Sequence, residues 1–119
     1  MEPKMKYVLL LMGDLEKARC GDESLPTVEE FMAYDAQLQE AGVLAGGFAL
    51  HEPELGVSVA IPKGSTEPVV TTGPFAESRE YVGGTFILDV ADIDEAIRWA
   101  KLCPGAKDSR VEIRALADY

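Results

Sequence analysis

The sequence predicts a single α+β domain, residues 1–119, in which two helices cover one face of a four- or five-stranded sheet. The chain length suits one domain with a modest core. Apolar patterns follow in the order strand, helix, strand, hairpin, strand, helix, strand, which is the order of a split βαβ arrangement. Two of these strands are apolar on both faces, so helices on one side cannot cover them completely.

The first third of the chain predicts one strand and one helix. Lys6–Met12 is a continuous apolar run typical of a strand, and Gly13–Leu25 is acidic and irregular, which indicates a loop. A helix begins at Thr27, which can form a capping box with Glu30. It ends before Gly42, a residue suited to the left-handed position after a helix.

The middle of the chain predicts a strand followed by a hairpin. Leu44–Leu50 has the composition of a strand, and Gly46-Gly47 within it indicates a bulge or a close approach of two backbones. The segments Gly56–Ile61 and Pro68–Thr72 flank a short polar turn and predict the two arms of the hairpin.

The last third predicts strand, helix, strand. Thr85–Val90 is apolar on both faces apart from one aspartate. A helix follows with Asp92 at its cap and Glu95 three positions later, and it ends at Cys103-Pro104-Gly105. Arg110–Leu116 alternates apolar and charged residues, which predicts a half-exposed strand.

The strands that are apolar on both faces predict self-association. Lys6–Met12 and Thr85–Val90 would leave an apolar sheet face uncovered by the two helices. A patch of that size normally marks an interface. We therefore expect a homodimer in which sheet packs against sheet.

Composition excludes several functional classes. The net charge of −10 argues against nucleic acid or an anionic membrane as a partner. No stretch approaches the roughly 20 apolar residues of a membrane span, and we expect a cytoplasmic protein. Cys20 and Cys103 are expected to be reduced thiols, with a disulfide or a catalytic cysteine as alternatives. The lone His51 argues against a multi-histidine metal centre within one subunit, and no metal is expected.

Asp35 is the most informative polar residue of the first predicted helix. It falls in the middle of an apolar arc that the pattern assigns to the core, formed by Val28, Phe31, Met32 and Leu38. A carboxylate there is costly unless it is paired. Asp35 therefore either reaches solvent or a backbone N–H, or lines a cavity between helix and sheet as a general acid–base group.

The stretch from Thr72 to Gly84 connects two predicted strands and is unusually rich in charge. Gly73-Pro74 forces a turn, and Phe75 places an aromatic ring just after it, as a core or interface plug or as part of a ligand site. Glu77, Arg79 and Glu80 then crowd three charges together. These charges are either a solvated ion-pair cluster or, through Arg79, an anchor for a carboxylate or phosphate.

Three further residues are weaker candidates. His51, at the predicted end of a strand, is either an exposed residue or a base. Tyr7 and Tyr81 could donate hydrogen bonds into a cavity, although strands use tyrosine freely.

The run G-P-F-A-E-S-R-E-Y-V-G-G-T-F (residues 73–86) resembles the signature D-G-P-F-A-E-[ST]-K-E-x-x-G-G-[YF] of the YCII-related, or DGPF, family. Three other runs are similar to that family, and together they cover nearly the whole chain: M-K-Y-V-L-L-L-M-G-D, A-G-V-L-x-G-G and D-I-D-E-A-I-R-W-A-K-L-C-P. The resemblance implies a ferredoxin-like subunit that forms a dimeric α+β barrel. Relatives of that fold include lyases, isomerases and monooxygenases that work without an organic cofactor. Members of this branch are often encoded beside extracytoplasmic-function sigma factors.

Two departures from the family pattern bear on activity. Thr72 stands where the signature has aspartate, and Arg79 stands where it has lysine. Phe31 occupies the place where the wider family has a histidine. A family activity that needs either missing group is therefore in doubt.

Three functional hypotheses follow. The first is a cofactor-free lyase- or isomerase-type enzyme with Asp35 as base, in which Arg79 or His51 orients an anionic molecule, with Glu77, Phe75 and Tyr7 as further binding candidates. The second is a non-catalytic sensor or regulatory partner, for example of a sigma factor. The third is a dimer without a ligand.

Overall fold

The computed structural model of the protein describes residues 5–74 and 78–117 and shows an α+β fold. A four-stranded antiparallel sheet has the order β2-β5-β1-β6, and a separate two-stranded sheet pairs β3 with β4. The elements are β1 Met5–Asp14, α1 Leu15–Cys20, α2 Val28–Glu40, β2 Leu44–Ala49, β3 Val57–Ala60, β4 Val69–Thr72, β5 Glu80–Val90, α3 Ile93–Leu102 and β6 Arg110–Ala115. The predicted α+β class is confirmed, and the strand order is that of the split βαβ arrangement.

Both long helices begin with the predicted caps. The Thr27 hydroxyl accepts from the Glu30 backbone N–H at 3.2 Å, and a Glu30 carboxylate oxygen accepts from the Thr27 N–H at 2.7 Å. Asp92 caps α3 in the same way, accepting from the Glu95 N–H at 2.9 Å. These bonds satisfy N–H groups that have no partner within the helix, so short sequence patterns located both starts.

The segment predicted as an irregular loop, Gly13–Leu25, is partly ordered, and that prediction is wrong in its first half. β1 continues to Asp14, whose carboxylate caps α1 by accepting from the Lys17 N–H at 3.1 Å. α1 ends at Gly21, which has the left-handed φ of 66° that glycine adopts without steric cost. Six residues are too few for helical periodicity to be visible in the sequence.

β5 is longer than its prediction of Thr85–Val90, because it begins at Glu80. The extra residues pair with the end of β1, where Leu11 lies opposite Gly84 and Met12 opposite Val82. The register shifts between Leu11 and Met12, as expected of a β-bulge. Half of the stretch that the sequence assigned to a connecting loop is therefore strand.

The core lies between one face of the sheet and the two long helices. Its buried side chains come from alternate positions of the two central strands and from one face of each helix: Tyr7, Leu9, Phe86, Leu88, Val90, Tyr34, Leu38, Ala96 and Ala100. The rings of Tyr34 and Phe86 meet edge to face, with centroids 5.2 Å apart. The Tyr34 hydroxyl donates to the backbone carbonyl of Trp99 at 2.6 Å, which joins α2 to the end of α3.

The core face of α2 differs from the predicted arc. Leu38 is buried as expected, but Val28 is 70% exposed and Met32 is 66% exposed. Tyr34 takes the place that the pattern gave to these residues. Val28 and Met32 instead line an open space between the helix and the sheet.

The other sheet face has no covering element among the described residues. Val8, Leu10 and Ile87 lie on it, and their exposure is intermediate. Phe48 on β2, opposite Thr85, is 58% exposed. No helix in the described part of the chain is long and apolar enough to cross a membrane.

Candidate functional site

An open cavity of about 790 Å³ lies between α2 and the ends of β1, β2 and β5. Its walls are mostly apolar, with Phe31 and Met32 from the helix and Leu11 and Phe86 from the sheet. Asp35, Tyr81 and Asp108 add polar groups. This size and composition are typical of a site for a small molecule.

Glycines create the floor of the cavity. Gly47 on β2 and Gly84 on β5 both line it, and side chains at these positions would have to enter the backbone of the paired strand. A Cβ on Gly47 would lie 2.6 Å from the Thr85 carbonyl oxygen, and one on Gly84 would lie 2.7 Å from that of Phe48. The close approach that Gly46-Gly47 predicts is therefore confirmed at Gly47, and backbone forms this part of the cavity floor.

Asp35 lies on the cavity wall, not in the core. Its Oδ1 accepts a hydrogen bond from the Nε2 amide of Gln39, one helical turn later, and both residues line the cavity. The side chain has intermediate exposure. The carboxylate is thus held by a neutral donor at the edge of the open space, with acceptor capacity left for another group.

Tyr81 closes one end of the cavity. The β-bulge places its ring against Gly13, where any larger side chain would collide with it. Burial raises the pKa of the Tyr81 phenol, and the carboxylates of Asp108, Glu54 and Asp14 raise it further. The hydroxyl therefore stays protonated and lies in a negative electrostatic environment.

Asp108 is a cavity residue that the sequence did not reveal. It follows the short 3₁₀ turn Pro104–Lys107, and its Oδ1 accepts from the Asp14 N–H at 2.8 Å. The Lys17 ammonium donates to the Asp108 backbone carbonyl at 3.1 Å. The available signal was a lone aspartate after a Cys-Pro-Gly turn, which is typical of many exposed loops.

The structure does not bring all predicted site residues together. His51 lines a separate, smaller pocket of about 360 Å³ with Arg19 and Glu54, although Tyr81 borders both spaces. Tyr7 lies in the core, where its hydroxyl donates to the Met5 Sδ at 3.7 Å.

The predicted charge cluster has a different pairing from the expected one. Arg79 is exposed, and its backbone carbonyl accepts from the Leu15 N–H at 2.8 Å. Glu80 pairs across strands with Arg110, through Nε at 3.0 Å, and accepts from the Ser109 hydroxyl. Phe75 and Glu77 lie outside the described residues.

The described residues contain no group of three or more His, Cys, Asp or Glu side chains placed to hold a metal ion. Both cysteines are free thiols, with Cys20 exposed and Cys103 buried. Burial raises the pKa of the Cys103 thiol, so it is a poor nucleophile at neutral pH.

Comparison with known proteins agrees with the family resemblance of residues 73–86, the run that leads into β5. The family model of the YCII-related domain matches residues 5–119. An uncharacterized protein of Rhizobium meliloti (strain 1021) is 30% identical over 119 residues, which cover 97% of this chain and 94% of the relative. The chain therefore belongs to the family of proteins with a YCII-related domain.

Proposed function

We propose that the protein binds a small organic molecule in the cavity between α2 and the sheet. The observation that carries this proposal is an open, largely apolar space of about 790 Å³ with Asp35 on its wall. Strand glycines normally reduce stability, because glycine loses more conformational freedom on folding than other residues and has no side chain to pack. Here Gly47 and Gly84 line the space, and glycine is required at both positions because a Cβ would collide with the backbone of the paired strand.

Asp35 is the residue to which we assign a chemical role. Its carboxylate borders the cavity and has one protein hydrogen bond, so it can accept a proton or a hydrogen bond from a bound molecule. A cofactor-free lyase or isomerase would use it as a general base. His51 lines a different pocket, which favours an enzyme that depends on Asp35 without histidine.

A cavity-filling pair of variants tests the proposal. Ala36→Leu adds bulk on the cavity wall, whereas Ala33→Leu adds the same bulk to an exposed position of α2 outside it. Small molecules that raise the melting temperature of the wild type should lose this effect in Ala36→Leu and keep it in Ala33→Leu. If no compound stabilises the wild type, or if both variants respond alike, the cavity is not the site and the regulatory alternative gains support.

We further propose a homodimer through the open sheet face, as in a dimeric α+β barrel. The apolar side chains of Val8, Leu10 and Ile87 favour a partner there, since helices cover only the other face. The β3–β4 hairpin supports a second copy as that partner. Val59 and Val70 lie opposite each other and are 65% and 63% exposed. An isolated two-stranded hairpin is at best marginally stable in water.

One chain is more extended than a compact domain of the same length, as expected if the β3–β4 hairpin projects from it and packs against a partner. The radius of gyration is 16.5 Å, against about 13.5 Å for a compact domain of this length. Light scattering should give a dimer mass for the wild type and for Leu102→Lys, a control at an exposed position of α3. Ile87→Lys on the sheet and Val59→Lys on the hairpin should shift the mass toward one chain. A monomeric wild type would refute the dimer.

A further inference from the structure

The charged side chains on the cavity wall are all acidic. Among the described residues that line the cavity, Asp35 and Asp108 are the ionisable groups that carry charge at neutral pH. None of these lining residues is lysine, arginine or histidine. An anion in this space would therefore meet carboxylates with no opposite charge on the wall.

Neither carboxylate has an ion-pair partner among the described residues. Asp35 accepts from the neutral amide of Gln39, and Asp108 accepts from the backbone N–H of Asp14. The Lys17 ammonium donates to the backbone carbonyl of Asp108 and not to its carboxylate. Both carboxylates thus keep lone pairs for a further donor.

The Tyr81 hydroxyl reports the sign of the field at this end of the cavity. After burial, the largest contributions to its raised pKa come from the carboxylates of Asp108, Glu54 and Asp14. The same negative environment that keeps the Tyr81 phenol protonated would stabilise a positive charge placed nearby.

The rest of the wall suits an apolar body attached to such a charge. Phe31 and Phe86 offer aromatic rings, and Met32 and Leu11 offer aliphatic surface. Aromatic faces attract cations as well as apolar groups. A carboxylate or phosphate ligand, the class that the sequence suggested through Arg79, finds no matching group in this lining.

We infer that the cavity is selective for an organic amine, with the ammonium group at Asp35 and Asp108 and an apolar body against Phe31 and Phe86. This inference rests on the proposed function, because it names the ligand class of the same site. The ammonium N–H groups donate to the free carboxylate oxygens. The apolar body of the ligand is transferred from water to the aromatic and aliphatic wall of the cavity.

Three probes with the same ring and different head groups test the charge selectivity: 2-phenylethylamine, 2-phenylethanol and phenylacetate. Affinities are measured by calorimetry at pH 7 and about 0.15 M salt, which screens the net charge of the whole protein. We expect the amine to bind roughly tenfold more tightly than the alcohol, and phenylacetate to bind most weakly.

Charge-neutral variants then locate the effect. Asp35→Asn and Asp108→Asn keep an acceptor oxygen and should each reduce the preference for the amine several-fold. Asp94→Asn removes the same charge from an exposed position of α3 and should leave it unchanged. If Asp108→Asn does not fold, since that residue also accepts from the Asp14 backbone, Asp35→Asn alone decides the question.

The outcomes separate this inference from the proposed function. If phenylacetate or the alcohol binds as tightly as the amine, and Ala36→Leu abolishes that binding, the cavity is a site but its charge selectivity is refuted. An amine preference that Asp94→Asn lowers as much as Asp35→Asn also refutes it, because the effect is then one of net charge. If none of the three probes binds, the amine inference fails, and the proposed function is then decided separately by the melting-temperature comparison of Ala36→Leu with Ala33→Leu.

Discussion

Gly83 and Gly84 are neighbours in β5, yet the structure predicts opposite effects when each is replaced by alanine. A Cβ on Gly84 would lie 2.7 Å from the Phe48 carbonyl oxygen and 3.2 Å from the Ala49 Cα, so β2 would have to move away. A Cβ on Gly83 would have its nearest neighbours at 3.6 Å, which is ordinary contact. Neither glycine has a positive φ, so the comparison isolates the steric term.

The magnitudes follow from two competing contributions. Replacing glycine by alanine stabilises by about 0.4–1 kcal/mol through the unfolded chain, whereas overpacking costs about 1–3 kcal/mol. We expect Gly84→Ala to lower the free energy of unfolding by about 1–2 kcal/mol and Gly83→Ala to raise it by up to about 1 kcal/mol. For a chain of this length 1 kcal/mol corresponds to roughly 4 °C in melting temperature.

Thermal melts followed by circular dichroism, with both variants in the same buffer, measure the difference. Gly84→Ala should melt roughly 4–8 °C below the wild type, and Gly83→Ala at or slightly above it. Hydrogen exchange should show loss of protection in β2, because that edge strand pairs with β5 alone. Equal shifts for the two variants would show that the close contact of β2 and β5 at Gly84 is absent.

Three further predictions concern single contacts. Tyr34→Phe should destabilise the protein by about 0.5–1.5 kcal/mol in urea unfolding, because a partly buried carbonyl at the end of α3 loses its donor; a change below the error of the measurement would contradict this. Arg110 lowers the pKa of Glu80 and of Glu112, so these two pairs contribute stability above pH 4.5, the unfolded value of both carboxyls, and lose it as the pH falls through the folded pKa values. Arg110→Gln should therefore lower the urea midpoint at pH 7 but not at about pH 3. If the variant's midpoint lies below that of the wild type by the same amount at both pH values, ion pairing of Arg110 is excluded. In the native protein a thiol reagent should modify the exposed Cys20 quickly and the buried Cys103 only as fast as the structure around it unfolds locally. Rapid modification of both thiols would contradict the burial of Cys103.

The parts of the fold that local sequence determines were predictable. The starts of α2 and α3 depend on contacts three residues apart, Thr27 with Glu30 and Asp92 with Glu95, so a short pattern suffices. α1 depends on the same chemistry at Asp14, but it is too short to show an apolar period. Its prediction failed for that reason.

The cavity was only half predictable. Asp35 was recognisable as a carboxylate on an apolar arc, but the sequence could not show that this arc faces empty space. That outcome depends on how other elements, among them β2 and β5 with Gly47 and Gly84, pack around the helix. Tyr81 was recognisable as a candidate hydrogen-bond donor into a cavity, and it does line one. Asp108 reaches the cavity through a 3₁₀ turn, and such long-range geometry leaves no periodic signal.

The segment of chain that carries the β3–β4 hairpin leaves the four-stranded sheet after β2 and returns to it at β5, and its two ends lie side by side. The Leu50 N–H donates to the Gly83 carbonyl at 2.8 Å, so the chain between these residues is closed by a contact that the sheet already provides. Because closure entropy grows only slowly with length, this excursion can be lengthened or shortened at small cost to the sheet. The exposed turn at Gly64 is consequently the place where a reporter group can be inserted while the cavity and its floor stay intact.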